Sequence, residues 1–236
     1  TEEFAKARTY LKKVPYESLK DEQREMYNMR MGYVEFISGD HDSAYSYFSK
    51  LSSNGKYGDH SVYYKSYIHY TRGELNVAKE GFESLKTSVH YAQIVPFYIL
   101  QIEFANGNYN YVVTNGDELL KNSAKLEYIE VTRIIAESWY RLANYKKAYD
   151  YISIYKRAGG NMGREELYLL GYSAYRSTRY EVAIEALKEL AGGKDTMAQY
   201  ASYYLGASYL KRDDSEKAKS AFAVAYESKA DPKITK

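Results

Sequence analysis

The stretch LYLLGYSAYRSTRYEVAIEALKEL, residues 167–190, holds the pattern that decides the fold. Leu167, Leu170, Gly171, Ala174 and Tyr175 recur at three- and four-residue intervals, which is the spacing of one face of an α-helix. Thr178 and Arg179 break the run with a polar turn. Ala183, Leu187 and Leu190 then resume it at offsets of 0, 4 and 7 on a second helix. Two helices joined by a short turn, A then B, are the unit.

Working outward, the same unit recurs along the chain. A small or β-branched residue at 44, 78, 112, 148, 183 and 218 follows each polar or glycine turn, at spacings of 34, 34, 36, 35 and 35 residues. A bulkier residue sits four later in most copies (Phe48, Phe82, Ile152, Leu187, Phe222). Twelve residues before each small position lie Gly32, Ser66, Leu100, Ala136, Gly171 and Gly206. Small side chains on A let the backbones of A and B approach, a use that outweighs the ~1 kcal/mol helix penalty of a glycine. The period excludes a single globular core and predicts stacked helical hairpins.

A helix pair of about 34 residues, small at its eighth and twentieth positions and bulky at its twenty-fourth, resembles the tetratricopeptide repeat. The resemblance implies an all-α fold, a right-handed α-α superhelix; Ala7, Leu11 and Val14 on one face predict a lone helix at 2–14. Six repeats follow, near 25–58, 59–92, 93–128, 129–163, 164–198 and 199–236. The third departs most: Leu100, Val112 and Gly116 stand where Gly, Ala and a large residue are expected. This reads as a volume exchange, with a change of curvature expected there. Pro96 should begin or kink that repeat's first helix. The opening Thr1-Glu2-Glu3-Phe4, without Met, reads as a fragment or a processed chain. With no polar capping helix evident, the expectation is a section of a longer array or self-association through the ends.

Composition narrows the function. The 33 basic and 31 acidic residues leave a net charge of +2, and both signs are interspersed. A nucleic-acid binder carries a concentrated basic footprint instead. No cysteine is present, which excludes disulfides and thiolate metal sites. No run approaches the ~20 apolar residues of a membrane span. Proline occurs three times and tyrosine 30 times.

By resemblance to the family, the second, fifth, ninth, twelfth and thirteenth positions of each A helix face a concave groove. Those positions nominate Tyr33, Tyr63, Tyr67, Tyr70, Phe97, Gln101, Arg133, Tyr140, Tyr168, Tyr172, Tyr175 and Tyr203 as groove residues. Tyrosine offers wide contact at low conformational-entropy cost and keeps a hydroxyl for hydrogen bonds. The competing reading is that these rings pack between neighbouring A helices. Some arrays of the family clamp a C-terminal carboxylate with Lys and Asn at the fifth and ninth positions. Met29/Tyr33, Tyr63/Tyr67 and Phe97/Gln101 depart from that pair. Arg133, Arg141 and Arg176 could meet an acidic group, although Glu137 is placed to pair with one of them.

No catalytic or cofactor pattern emerges. His41, His60, His69 and His90 form no i, i+4 pair, and metal sites need several convergent ligands. The run Gly159-Gly160-Asn161-Met162-Gly163 follows a helix, whereas a dinucleotide loop follows a strand, so it reads as an inter-repeat connection. The sequence therefore predicts a non-catalytic scaffold, without metal or cofactor, that binds a protein or peptide along an aromatic groove. Glycan or cell-wall binding is the alternative, since tyrosine-rich arrays resemble those of bacterial envelope proteins. That likeness points to the periplasm or cell envelope over the cytoplasm. An RNA-binding helical repeat is a third reading, against which the aromatic groove positions and near-neutral charge weigh.

Overall fold

A computed structural model describes residues 2–121 and 124–234, and divides into two compact units, residues 1–102 and 103–236. Every regular element among the described residues is helical. The division falls inside the first helix of the third repeat, the copy whose sequence departs most from the others.

The first unit begins with α1 (Glu2–Leu11), which packs on α2 (Asp21–Ile37). Helix α1 stops short of the expected residue 14, because the residue before Pro15 is barred from helical backbone and the last turn unwinds ahead of it. Two hairpins follow: α2 with α3 (His41–Phe48), then α4 (Gly58–Thr71) with α5 (Leu75–Ser84). Helix α6 (Val95–Ala105) runs across the division. Pro96 is its second residue, where a missing N–H costs nothing, so it begins the helix rather than kinking it.

The second unit holds α7 (Tyr109–Leu120), then the hairpins α8 (Lys125–Arg141) with α9 (Tyr145–Arg157), α10 (Arg164–Arg176) with α11 (Tyr180–Lys188), and α12 (Thr196–Leu210) with α13 (Ser215–Ser228). Each helix packs on the next, and α10 also touches both α8 and α12. Helices α2, α8 and α12 start three or four residues earlier than the repeat boundaries suggested. In α2 and α8 the third helical residue reaches back to the cap: Lys20 N donates to Gln23 Oε1 at 3.0 Å and Ala124 N to Glu127 Oε2 at 3.3 Å. In α12 the Asp195 carboxylate accepts from Ala198 N at 2.9 Å.

The same turn joins helix A to helix B in all six repeats. Gly39, Gly73, Gly107, Ala143, Thr178 and Asp213 all have φ between 58° and 82°, in the left-handed region. At each, the next residue's N–H bonds back five residues, as Asp40 N to Glu35 O at 3.0 Å and Arg179 N to Ala174 O at 2.8 Å. That closure satisfies carbonyls orphaned at the end of helix A.

The glycines on the A helices receive the bulky residue of helix B rather than its small one. A Cβ on Gly32 would lie 2.6 Å from the Phe48 ring, and one on Gly206 2.8 Å from that of Phe222. The close approach of A and B rests on this contact: the hollow left by glycine is filled by a ring or by leucine. In the third repeat Leu100, Val112 and Gly116 are all buried.

Candidate aromatic groove

In the second unit the A helices α8, α10 and α12 stand side by side, and tyrosines fill the seams between them. Tyr140 on α8 meets Tyr172 on α10 edge to face, with ring centroids 5.6 Å apart. Tyr172 meets Tyr204 on α12 at 4.6 Å, and Tyr175 meets Tyr204 at 5.3 Å. Tyr145 and Tyr168 add further rings against Tyr172, while Arg176 donates to the Tyr172 hydroxyl at 2.8 Å. Burial raises the phenol pKa values of Tyr140, Tyr168 and Tyr204, so these hydroxyls stay neutral.

Beside these seams lies a cavity of about 230 Å³ between α8 and α10. Arg133, Glu137, Tyr140 and Arg141 line it from α8, Glu165, Glu166, Tyr168 and Leu169 from α10, and Ile152 and Met197 complete it. Three nominated groove residues, Arg133, Tyr140 and Tyr168, therefore converge on one space. Arg133 is gripped at two points by Glu130, at 3.0 and 2.7 Å, and lies 3.5 Å from Glu137. Glu137 also accepts from Arg141 at 2.9 Å. The bond to Glu130 is the main cause raising the Arg133 pKa, and this guanidinium is permanently charged. Tyr203, on α12, is 41% exposed and rests against Phe222.

In the first unit the nominated rings mostly meet rings outside the nominated set. Tyr63 stacks on Tyr91 at 4.2 Å. Tyr67 and Tyr70 both pack edge-on to Tyr98 at 5.6 Å, and Phe97 reaches Tyr98 at 5.5 Å. The Tyr70 hydroxyl bonds to Gln101. Tyr33, 36% exposed, instead borders an apolar groove of about 370 Å³ with Phe4, Ala7, Tyr10 and Leu11 of α1.

Tyr98 and Tyr204 were absent from the nominated set, yet each is the hub of its ring cluster. Both stand two residues before the eighth position of their A helix, as does Tyr64. That recurrence was the available signal. Glu165 and Glu166 left no sequence signal, because only the packing of α10 on α8 brings them to the cavity.

The histidines are less isolated than the sequence suggested. His60 stacks on His90 with centroids 5.1 Å apart, and its Nδ1 lies 2.6 Å from the Tyr91 hydroxyl. Thirty positions separate the two histidines, so helical spacing could not reveal the pair. Among the described residues no group of three or more His, Asp or Glu side chains is placed to hold a metal ion. Nor, among them, is any helix long and apolar enough to cross a membrane.

Residues 200–228, on α12 and α13, match the family model of the tetratricopeptide repeat. The fold is that of a tetratricopeptide-repeat protein. The C-terminal part of a tetratricopeptide repeat-containing protein from Cytophaga hutchinsonii superposes with a TM-score of 0.61 at 15% identity, covering 99% of this chain and 93% of that one. The apo form of the quorum sensor NprR from B. thuringiensis gives 0.56 at 13% identity, over 98% and 71%. A Rap protein complexed with competence and sporulation factor gives 0.52 at 14% identity, over 98% and 77%. No curated protein matches the sequence. As a tetratricopeptide-repeat fold, the chain presents its A helices as one row within the second unit, and that row carries the cavity.

Proposed function

We propose that the chain is a non-catalytic scaffold that holds a segment of a partner protein along the A helices of its second unit. The observation that carries this reading is the cavity where Arg133, Tyr140 and Tyr168 converge, with Tyr203 exposed on α12. Aromatic and arginine side chains around a partly desolvated hollow are the usual anchors of a protein interface. The fold supports it as well, since the Rap relative was solved with a bound factor.

Two other readings fare worse on the same face. Sugar stacking needs open ring faces, and those of Tyr172 and Tyr204 meet other rings. An RNA backbone needs uncommitted cations, but Arg133, Arg141, Arg164 and Arg212 each pair with a carboxylate.

Affinity capture with the intact chain and with a Tyr168→Ala/Tyr203→Ala variant, read by mass spectrometry, tests the proposal. Proteins retained by the native chain should be lost by the variant while its melting transition stays cooperative. An identical retained set from both chains, or no retained protein at all, overturns it.

A further inference from the structure

We propose that the cavity between α8 and α10 receives a cationic group, the side chain of a lysine or arginine on the bound polypeptide. This deepens the scaffold reading above and rests on it. Two arginines on the wall would at first suggest an anion site. Both are already matched: Glu130 grips Arg133 at two points, and Glu137 reaches Arg133 at 3.5 Å and Arg141 at 2.9 Å. Among the described residues no side chain hydrogen-bonds or ion-pairs with Glu165 or Glu166, which line the opposite wall; Glu166 acts on Arg133 only through space. Three carboxylates and two guanidiniums line the space, Glu130 adds a fourth carboxylate against Arg133, and the charge left over is negative.

The remaining lining suits such a guest. Tyr140 and Tyr168 supply ring surface that attracts a cation. Leu169 and Met197 supply apolar surface for its methylene stem. The volume, about 230 Å³, falls below the ~300–1,000 Å³ of small-molecule pockets and fits a single side chain. Glu165 and Glu166 also occupy the first turn of α10, where the helix dipole favours them, so folding must be monitored when they change.

The test uses the intact chain and an array of random twelve-residue peptides with acetylated N-termini, the central residue fixed in turn as each amino acid. The tightest lysine-centred peptide is then compared in solution with its acetyl-lysine, norleucine and glutamate versions, and with a free N-terminal amine on the acetyl-lysine version. The lysine peptide should bind about tenfold tighter than the acetyl-lysine one, the range of an ion pair joined to a cation–ring contact. A Glu165→Gln/Glu166→Gln variant should reduce that ratio to near one and leave the acetyl-lysine affinity unchanged. Met197→Lys, which places a competing cation at the cavity, should abolish the preference without touching α10's first turn.

Tightest binding by the glutamate peptide would make the arginines the attracting groups and overturn the proposal. So would a lysine preference that survives in both variants, or a free N-terminal amine that restores full affinity. Peptides that bind regardless of their centre refute the cation site and leave the scaffold reading intact. If no peptide of any centre binds, both fall.

Discussion

Gly171 and Leu187 are in a contact that admits no side chain on the glycine: a Cβ there would lie 2.6 Å from Leu187 Cγ and 2.7 Å from its Cδ2. Leu187 is fully buried in the cluster that joins α10, α11 and α12. Gly171→Leu should therefore lower stability by about 2–3 kcal/mol through overpacking. Urea denaturation checks this, and an unchanged midpoint would show that α10 and α11 can part without cost.

The rings of the second unit divide into those that hold the helices together and those that stay open. Tyr172 touches four other tyrosines, whereas Tyr203 is 41% exposed. Tyr172→Ala should cost about 2–4 kcal/mol, and Tyr203→Ala less than about 1 kcal/mol. Thermal and urea unfolding of the two variants give the ranking, and the reverse order would place the structural seam elsewhere.

Thr178 adopts φ 60° at the α10–α11 turn, where the first three repeats carry glycine. A β-branched residue in left-handed backbone is strained. Thr178→Gly should raise stability by about 0.5–1 kcal/mol, the relief of strain less the added freedom of the unfolded chain. A loss of stability would mean that the Thr178 side chain contributes more than its backbone costs.

An ion pair joins helix α1 to α2. Arg8 Nε donates to Glu35 Oε1 at 2.9 Å, its Nη2 lies 2.7 Å from Oε2, and the Glu35 side chain is only 3% exposed. Arg8→Met leaves that carboxylate buried and unpaired, at a cost of about 3 kcal/mol. Hydrogen exchange across α1 and α2 reports it, and protection equal to the native chain's would show that the pair contributes nothing.

The His60–His90 pair predicts a pH dependence in the first unit. His60 is held below its ordinary pKa of 6.5, first by burial and then by His90, with Asp59 opposing. The unfolded chain then takes up its proton before the folded one does. Stability present above about pH 6.5 should fall as the solution is acidified through that value towards the folded pKa. Urea midpoints measured at about pH 7 and about pH 5 should converge in His60→Asn relative to the native chain. An equal decline in both would assign the acid sensitivity to other groups.

The sequence by itself determined the repeat. Its 34- to 36-residue register, its A–B turns and its small-residue positions are local, because helical spacing and turn chemistry act over a few residues. Gly39, Gly73 and Gly107 announced the turns, and Pro96 announced the start of α6. Only the tertiary structure decided which tyrosines close seams and which remain open, since that depends on which A helix lies alongside. It likewise decided which charges meet at the cavity: Arg133 is paired with Glu130 three residues away on the same helix, while Glu165 and Glu166 arrive from another. Local periodicity fixes a residue's face, but charge balance at a point in space sums over every chain segment that reaches it.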